Sequence, residues 1–129
     1  MKANIIKIIK LNMKLIAIED DIQIKIGENA QENWDLIDNS KPEWYWFHLK
    51  SFPSSHVILE TDNPTMEQMI QAAASCKDAG KYRNLKNLKI SYCQIKNIQK
   101  AEKVGSVTFI SNRKVCLLYT SPSPRDGLL

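Results

Sequence analysis

The chain has 129 residues, of which 43% are hydrophobic and 25% are charged, and its formal net charge at pH 7 is +4. This is the size of one globular domain with one modest core, so no second domain is expected. The three cysteines, Cys76, Cys93 and Cys116, are too widely spaced for a Cys-x-x-Cys metal or redox pair. We expect them to be reduced and structural, in a cytoplasmic protein without a cofactor.

The first segment, residues 1 to 12, is apolar but repeatedly interrupted by lysine. No uncharged run approaches the roughly 18 residues that a membrane span needs, so no membrane partner is expected. Two interpretations stay open for this segment: a basic extension without fixed structure, or translated sequence upstream of a start at Met13. The domain is therefore predicted to cover residues 13 to 116.

The last segment, residues 117 to 129, changes abruptly to serine, proline and glycine in the stretch "LLYTSPSPRDGLL". It resembles translated sequencing-adapter read-through, which carries no information about the fold. We exclude it from the predicted fold and expect the native C-terminus to be missing.

The first predicted elements are two strands, at residues 14 to 18 and 22 to 26. Apolar residues alternate in the second strand, so that Ile22, Ile24 and Ile26 share one buried face. The short acidic connection between the two stretches suits a hairpin or two neighbouring strands.

A short helix is predicted next, in the stretch "ENAQENWDLID" after Gly27. Asn29 is a residue type that favours the helix N-cap, and Ala30, Trp34 and Ile37 recur at helical spacing. The helix is expected to end before "NSKP".

Two further strands, at about 44 to 49 and 56 to 60, enclose the corner "SFPSS". Side chains alternate between the two faces of a strand, and large aromatic side chains are typical of a core. We assign Trp44, Trp46 and Leu49 to the core and the remaining aromatic and histidine side chains of the first strand to the opposite side.

The best-marked element is a helix at residues 65 to 79. Thr65 and Gln68 have the spacing of a capping box, and apolar residues from Met66 to Ala73 follow at i, i+3, i+4 and i+7. Gly80 suits the exit from the helix.

The last predicted elements are a strand at residues 88 to 93 and a closing hairpin whose strands lie at 106 to 110 and 113 to 118, joined across "SN". Strands and helices are not regularly interleaved along the chain. The predicted fold class is therefore α+β, a single domain with a mostly antiparallel sheet and two helices.

The charges are distributed unevenly. Residues 15 to 43 contain eight acidic and two basic residues, a net charge of −6, whereas residues 81 to 103 contain seven basic residues and one acidic residue, a net charge of +6. A basic segment of this kind presents several ammonium groups to a polyanion, and such binding depends steeply on salt. A solvated lysine face explains the same composition, so composition leaves both interpretations open.

Catalysis has little support in the sequence. Ser54 or Ser55 beside His56 offers a nucleophile and a base, but no acid stands at a telling spacing and no Gly-x-Ser-x-Gly elbow is present. A zinc site from His48, His56 and one of the cysteines lacks the short-range ligand pairs typical of such sites. We predict no enzyme activity and no metal site.

Six stretches carry a family resemblance through their order along the chain. They are "IGENAQENWDLI", "WYWFHL", "PSSHVIL", a capped helix, "ISYCQIKNIQK" and "VGSVTF". Taken together, they resemble the NFACT RNA-binding domain (NFACT-R) from about Gln23 to Val115. The stretch "CKDAGKYRNLKNLK" matches that family only loosely.

The resemblance implies RNA binding without catalysis, in a cytoplasmic module that associates with the large ribosomal subunit and with tRNA or rRNA in ribosome-associated quality control. Under this hypothesis His48, Ser54, Ser55 and His56 shape the RNA-binding surface by hydrogen bonds. The residues expected to contact phosphates are Lys81, Arg83, Lys86, Lys96, Asn97 and Lys100. Structural hydrogen bonds at a corner between strands are the competing interpretation of the serines and His56. The competing functions are a protein-interaction adaptor and a generic nucleic-acid surface that also binds DNA.

Overall fold

The structure is a computed structural model, and it describes residues 14–17, 22–82 and 84–119. Its helices and strands, in chain order, are β1 (Lys14–Ala17), β2 (Gln23–Ile26), α1 (Ala30–Asp38), β3 (Tyr45–Leu49), β4 (Val57–Leu59), α2 (Met66–Asp78), β5 (Lys89–Gln94), β6 (Ile98–Lys100), β7 (Val107–Phe109) and β8 (Cys116–Tyr119). Single turns of 3-10 helix lie at Ile95–Asn97 and Asn112–Lys114.

Within these residues, six antiparallel strands form the main sheet, in the order β1-β2-β4-β3-β5-β8. Strands β6 and β7 pair with each other in a separate two-stranded ribbon. The central strand is β3, whose Trp46 lies opposite Ile58 of β4 and Cys93 of β5. The predicted class, α+β with a mostly antiparallel sheet and two helices, is confirmed.

The centre of the main sheet is buried on both faces, whereas most residues of the edge strand β8 are exposed. Helix α2 covers one face, where Met69 and Cys76 pack around Phe47. Helix α1 and the β6–β7 ribbon cover the other face, around Trp46 and Leu36. Because both faces are covered, β4 is buried at all of its positions instead of alternating between buried and exposed.

Helix α2 begins where its sequence predicts. The Thr65 hydroxyl accepts a hydrogen bond from the Gln68 backbone N–H (3.1 Å), and the Gln68 side chain accepts one from the Thr65 N–H (2.9 Å). This capping box satisfies two helix N–H groups that have no partner within the helix. The apolar face then packs on the sheet through Met69, Ala72 and Ala73.

Helix α1 begins at its predicted cap, and two of its three buried residues are polar. Asn29 accepts from the Glu32 N–H at 2.9 Å, as expected for an N-cap. The buried residues are Glu32, Asn33 and Leu36, and Ile37 packs beside Leu36 against the core. The two polar residues are buried with hydrogen bonds, and the spacing of apolar residues does not reveal such positions.

The faces of β3 differ in part from the prediction. Trp46 and His48 lie on the α1 side, and Phe47 and Leu49 lie on the α2 side. The predicted faces of Leu49 and His48 were therefore wrong, because strict alternation along a strand puts Leu49 on the face of Phe47 and His48 on the face of Trp46. The side chains on both faces of β3 pack in a hydrophobic core, because the sheet lies between α2 on one side and α1 with the β6–β7 ribbon on the other.

The predicted closing hairpin is wrong. The strand at Val107–Phe109 pairs with Ile98–Lys100, and the strand at Cys116–Tyr119 pairs with β5 at the edge of the main sheet. A single turn of 3-10 helix separates them and carries the chain from the ribbon back to the sheet. The last strand also continues to Tyr119, beyond the predicted domain end at residue 116.

Candidate nucleic-acid interface

A cluster of three rings lies on the α1 side of the main sheet. Trp46 and His48 are at alternate positions of β3, and His56 is the residue directly before β4. The Trp46 and His48 rings are stacked, with centroids 5.7 Å apart and planes 5° apart. His56 meets both edge-on, at 5.3 Å from Trp46 and 5.2 Å from His48. Trp46 Nε1 donates to His56 Nδ1 at 3.0 Å. We call Trp46, His48 and His56 the histidine cluster.

Both histidines of the cluster are held in the neutral form. Burial lowers the pKa of His56 to about 3, the nearby His48 lowers it further, and a hydrogen bond with the Gly105 backbone acts in the opposite direction. Burial also lowers the pKa of His48, against a hydrogen bond to the Leu49 carbonyl oxygen at 2.6 Å. Since His56 Nδ1 accepts from Trp46, it is not the general base of Ser54 or Ser55.

The serines of the "SFPSS" corner are engaged in hydrogen bonds within the corner. Ser54 Oγ accepts from the Leu49 N–H at 3.0 Å and donates to the Ser55 carbonyl oxygen at 3.1 Å. The Cys76 thiol lies 3.7 Å from both Ser54 Oγ and the Ser55 carbonyl oxygen. Burial raises the pKa of the Cys76 thiol to about 12, so it stays protonated at neutral pH. This geometry fixes the turn between β3 and β4.

Asn33 of α1 joins the histidine cluster to the start of the helix. Its side-chain oxygen accepts from the His56 backbone N–H at 3.1 Å, and the Gly27 N–H donates to the His56 carbonyl oxygen at 3.0 Å. A side chain at Gly27 would collide with the Asn33 amide oxygen. The spacing of Gly27 and Asn33 in the first motif therefore has a packing reason.

Gly105, the glycine of the motif "VGSVTF", allows the turn between β6 and β7 to pack closely against α1. Gly105 has a φ of +88°, and a Cβ there would lie 2.8 Å from the Ala30 Cβ. Trp34 Nε1 donates to the neighbouring Ser106 carbonyl oxygen at 2.9 Å. These contacts hold the ribbon over the histidine cluster.

An open cavity of about 590 Å³ lies between the histidine cluster and the β6–β7 ribbon. His48, Ser91 and Asn112 contribute polar groups to its lining, Phe109 contributes an apolar wall, and Lys50 lies at one end. A cavity of this size is typical of small-ligand sites. Ser91 and Asn112 were not predicted as site residues. The alternation of "KISYCQ" is a signal for Ser91, because it places Ser91 on the same face as Cys93. In the structure Ser91 lies opposite His48 on the neighbouring strand.

The basic stretch at residues 81 to 103 is divided between two ends of the sheet. Lys89 begins β5 and Lys96 follows its end, so the six-residue strand separates them by roughly 17 Å at about 3.4 Å per residue. At the first end, the Lys50 N–H donates to the Lys89 carbonyl oxygen at 2.8 Å, which joins the loop after β3 to the loop after α2. We name this end the lysine tip: Lys50, Lys81, Lys86 and Lys89.

The second end contains charges of both signs. The Lys96 N–H donates to the Pro42 carbonyl oxygen at 2.9 Å, which brings the basic residues beside the segment after α1. Lys100 Nζ lies 2.6 Å from Asp38 Oδ2 and 5.2 Å from the centre of the Trp34 ring. We name this end the mixed edge: Asp38, Lys41, Glu43, Lys96 and Lys100.

The predicted phosphate contacts differ in their exposure. Lys81, Lys86, Lys96 and Lys100 are exposed, and Arg83 lies outside the described residues. Asn97 is only 5% exposed; its side-chain amide donates to the Ser111 carbonyl oxygen at 3.0 Å and accepts from the Ser111 N–H at 2.9 Å. Asn97 is therefore engaged within the domain, whereas the exposed lysines are divided between the lysine tip and the mixed edge.

The described residues contain neither a candidate metal cluster nor a candidate membrane-spanning helix. Residues 14–17, 22–82 and 84–119 contain no group of three or more histidine, cysteine, aspartate or glutamate side chains that is suited to hold a metal ion. Among the helices in the same part of the chain, none has the length and apolar character needed to cross a membrane.

Comparison with known proteins identifies the family. The family described as "NFACT protein RNA binding domain" matches residues 14–111. The chain is 26% identical over 97 residues to the "Rqc2 homolog RqcH" of Bacillus subtilis (strain 168), a match that covers 73% of this chain and 17% of that protein. It superposes on the C-terminal part of the fibronectin/fibrinogen-binding protein of Streptococcus suis with a TM-score of 0.76 and 26% identity, over 88% of this chain and 46% of that chain. The family match covers most of the described residues, and the chain belongs to the NFACT RNA-binding domain family.

Proposed function

We propose that this domain binds tRNA or ribosomal RNA at the large ribosomal subunit, in the cytoplasm, as a module of ribosome-associated quality control. The observation that carries the proposal is the match of residues 14–111 to an RNA-binding domain family. The similarity to an Rqc2 homolog supports the quality-control setting that the resemblance implies. The match covers only 17% of that relative, so it does not assign the activity of the whole relative to this chain.

The lysine tip is the main phosphate-binding surface in this proposal. Lys81 and Lys86 are exposed, and the ion pairs found in the described part of the chain, Lys25 with Glu60 and Lys100 with Asp38, leave both of them out. Each phosphate that such a lysine neutralises releases counterions, which favours binding at low salt. Arg83 belongs to the same loop by sequence and is included in the proposal on that ground.

The mixed edge contributes less. Lys96 is exposed, but Lys100 must first leave Asp38 before it contacts a phosphate. An exposed ion pair of this kind is worth about 0 to 1 kcal/mol, so the exchange is feasible but reduces the gain. Asn97 acts here by holding the turn at Ser111 with both polar atoms of its amide.

The residues of the histidine cluster and the corner shape the surface from within. His48 lines the open cavity and is the cluster's polar group closest to a bound RNA in this proposal. The turn between β3 and β4 is positioned by His56, Ser54 and Ser55. Lys50 is the first residue of this turn, directly after the end of β3. This arrangement assigns no catalytic step to any of them.

The test is direct binding of the full chain to labelled tRNA, a ribosomal RNA fragment and duplex DNA of equal phosphate count. We expect tighter binding to the RNAs, with an affinity that falls steeply between about 50 and 200 mM salt. A parallel sedimentation assay with purified large ribosomal subunits should show co-sedimentation. Equal affinity for duplex DNA would favour a generic nucleic-acid surface, and no binding to any of the three would favour a protein-interaction adaptor.

A further inference from the structure

An aromatic pair lies beside the lysine tip. Phe52, in the loop after β3, and Tyr82, in the loop after α2, have ring centroids 4.7 Å apart and planes tilted by 41°. Tyr82 is partly buried against the core under α2, whereas Phe52 is 36% exposed. The pair therefore has a supported ring and a ring that is open to solvent.

Backbone hydrogen bonds anchor the described parts of the two loops that carry these rings. The Lys50 N–H donates to the Lys89 carbonyl oxygen at 2.8 Å, and the Leu85 N–H donates to the Tyr82 carbonyl oxygen at 3.0 Å. Ser51 has a φ of 72°, a left-handed conformation that non-glycine residues seldom adopt, directly before Phe52. A ring that is already ordered loses little conformational entropy when a ligand stacks on it.

The loop segments that carry the pair are basic in sequence. Segments 50–53 and 79–89 contain five basic residues and no acidic residue, and Asp78, the last residue of α2, is the acidic residue directly before the second segment. Lys81 Nζ lies 5.6 Å from the centre of the Tyr82 ring, which is a cation–π contact. The mixed edge differs, because its exposed lysines lie among Asp38 and Glu43.

We infer that Phe52, supported by Tyr82, stacks on an unpaired nucleobase of RNA while the lysine tip contacts the phosphates on either side. Aromatic rings within a basic surface bind single-stranded nucleic acid in this way, because every base has a flat face and the backbone carries regular charge. A base inside a duplex is already stacked on its neighbours and offers no free face. The inference rests on the proposed function and adds a preference: RNA with an unpaired loop should bind more tightly than fully paired RNA.

The experiment compares two RNAs with five forms of the full chain. The RNAs are a hairpin with an unpaired loop and a blunt duplex with the same number of phosphates. The proteins are the unaltered chain, Phe52→Ala, Phe52→Leu, Phe52→Trp and, as a matched control, Met66→Ala. Met66 is also an exposed apolar residue, and it is the first residue of α2, at the end of the helix opposite to the loop that carries Tyr82. Fluorescence anisotropy gives the affinity, and thermal unfolding checks that each variant is folded.

We expect Phe52→Ala to weaken binding of the looped RNA by about 5- to 10-fold, the lower part of the range for loss of one stacked base, and to leave duplex binding unchanged within about twofold. Phe52→Trp should retain or increase the affinity, and Met66→Ala should change neither affinity. Phe52→Leu, which keeps an apolar side chain without a ring, should behave like Phe52→Ala.

Three results would overturn the inference, each in a different way. If the unaltered chain binds the looped RNA and Phe52→Ala binds it equally well, the stacking inference fails while the proposed function stands. If the unaltered chain binds neither RNA, both fail together. A Phe52→Leu variant with full affinity would show that apolar area, and not a ring, is what the site needs.

Discussion

The histidine cluster and the lysine tip differ in every property that matters for binding. The cluster is largely buried, its histidines are neutral, and its hydrogen bonds are satisfied within the domain. The tip is exposed and positively charged, and much of it lies in the stretch "CKDAGKYRNLKNLK", which resembles the family least. In our proposal the histidine cluster therefore belongs to the scaffold, and the loops that this scaffold holds bind the polyanion.

The largest expected effect concerns the cluster. His56→Ala should lower the free energy of unfolding by about 2 to 4 kcal/mol, because the buried Trp46 N–H loses its acceptor and a cavity opens beside the ring. Urea unfolding followed by tryptophan fluorescence measures it. His56→Gln, which keeps a polar side chain, should lose less. A variant that keeps its stability but loses RNA affinity would move His56 from the scaffold to the binding surface.

The matching experiment on the tip should show the opposite pattern. Lys81→Glu with Lys86→Glu should lower RNA affinity by about 10- to 100-fold at about 100 mM salt, because two attractive charges become repulsive. The free energy of unfolding should change by no more than about 0.5 kcal/mol, as is usual for exposed positions. The control with the same charge change is Lys96→Glu with Lys100→Glu at the mixed edge, for which we expect a loss of less than about 10-fold. Equal losses would show that the two ends are not distinct.

The pH dependence of stability tests the burial of the cluster. The pKa of His56 is lowered to about 3 in the folded protein from 6.5, so between these values the unfolded state binds the proton and the folded state does not. Stability is then complete above about pH 6.5 and falls as the pH is lowered. We expect a loss of about 2 kcal/mol between pH 7 and pH 5, and a smaller loss in His56→Gln. A flat profile would contradict the neutral, buried His56.

The smallest expected effect concerns the mixed edge. Asp38→Asn should release Lys100 from its ion pair and raise RNA affinity by about two- to threefold. Glu67→Gln, an equal charge change at an exposed site on α2, is the control and should have less effect. If both variants gain equally, the gain reflects net charge and not the release of Lys100.

Local signals in the sequence were sufficient for part of the fold. The caps at Asn29 and Thr65 were predicted because each depends on residues within one turn of the helix. The partner of Val107–Phe109 was not predicted, because strand pairing depends on distant residues and a short turn signal favoured the wrong neighbour. The burial of Glu32 and Asn33 has no signal in the sequence for a different reason, since both are polar side chains that are buried with their own hydrogen bonds.

The candidate site was predicted less well than the fold. The sequence shows a basic stretch at residues 81 to 103, but not that β5 separates its ends or that Lys50 joins one of them. Residue type also does not distinguish a buried asparagine from an exposed one, and Asn97 is the clearest case. The Phe52–Tyr82 pair was missed because its two loops are 30 positions apart in the sequence.

The most direct test of RNA binding through the lysine tip is the salt dependence of tRNA affinity for three proteins: the unaltered chain, Lys81→Gln with Lys86→Gln, and Lys96→Gln with Lys100→Gln. We expect the slope of log K against log salt to become less steep by about 2 in the tip variant and by about 1 or less in the edge variant, because each lost phosphate contact removes roughly one released counterion. A tip variant with the slope of the unaltered chain would contradict the assignment of phosphate binding to the lysine tip.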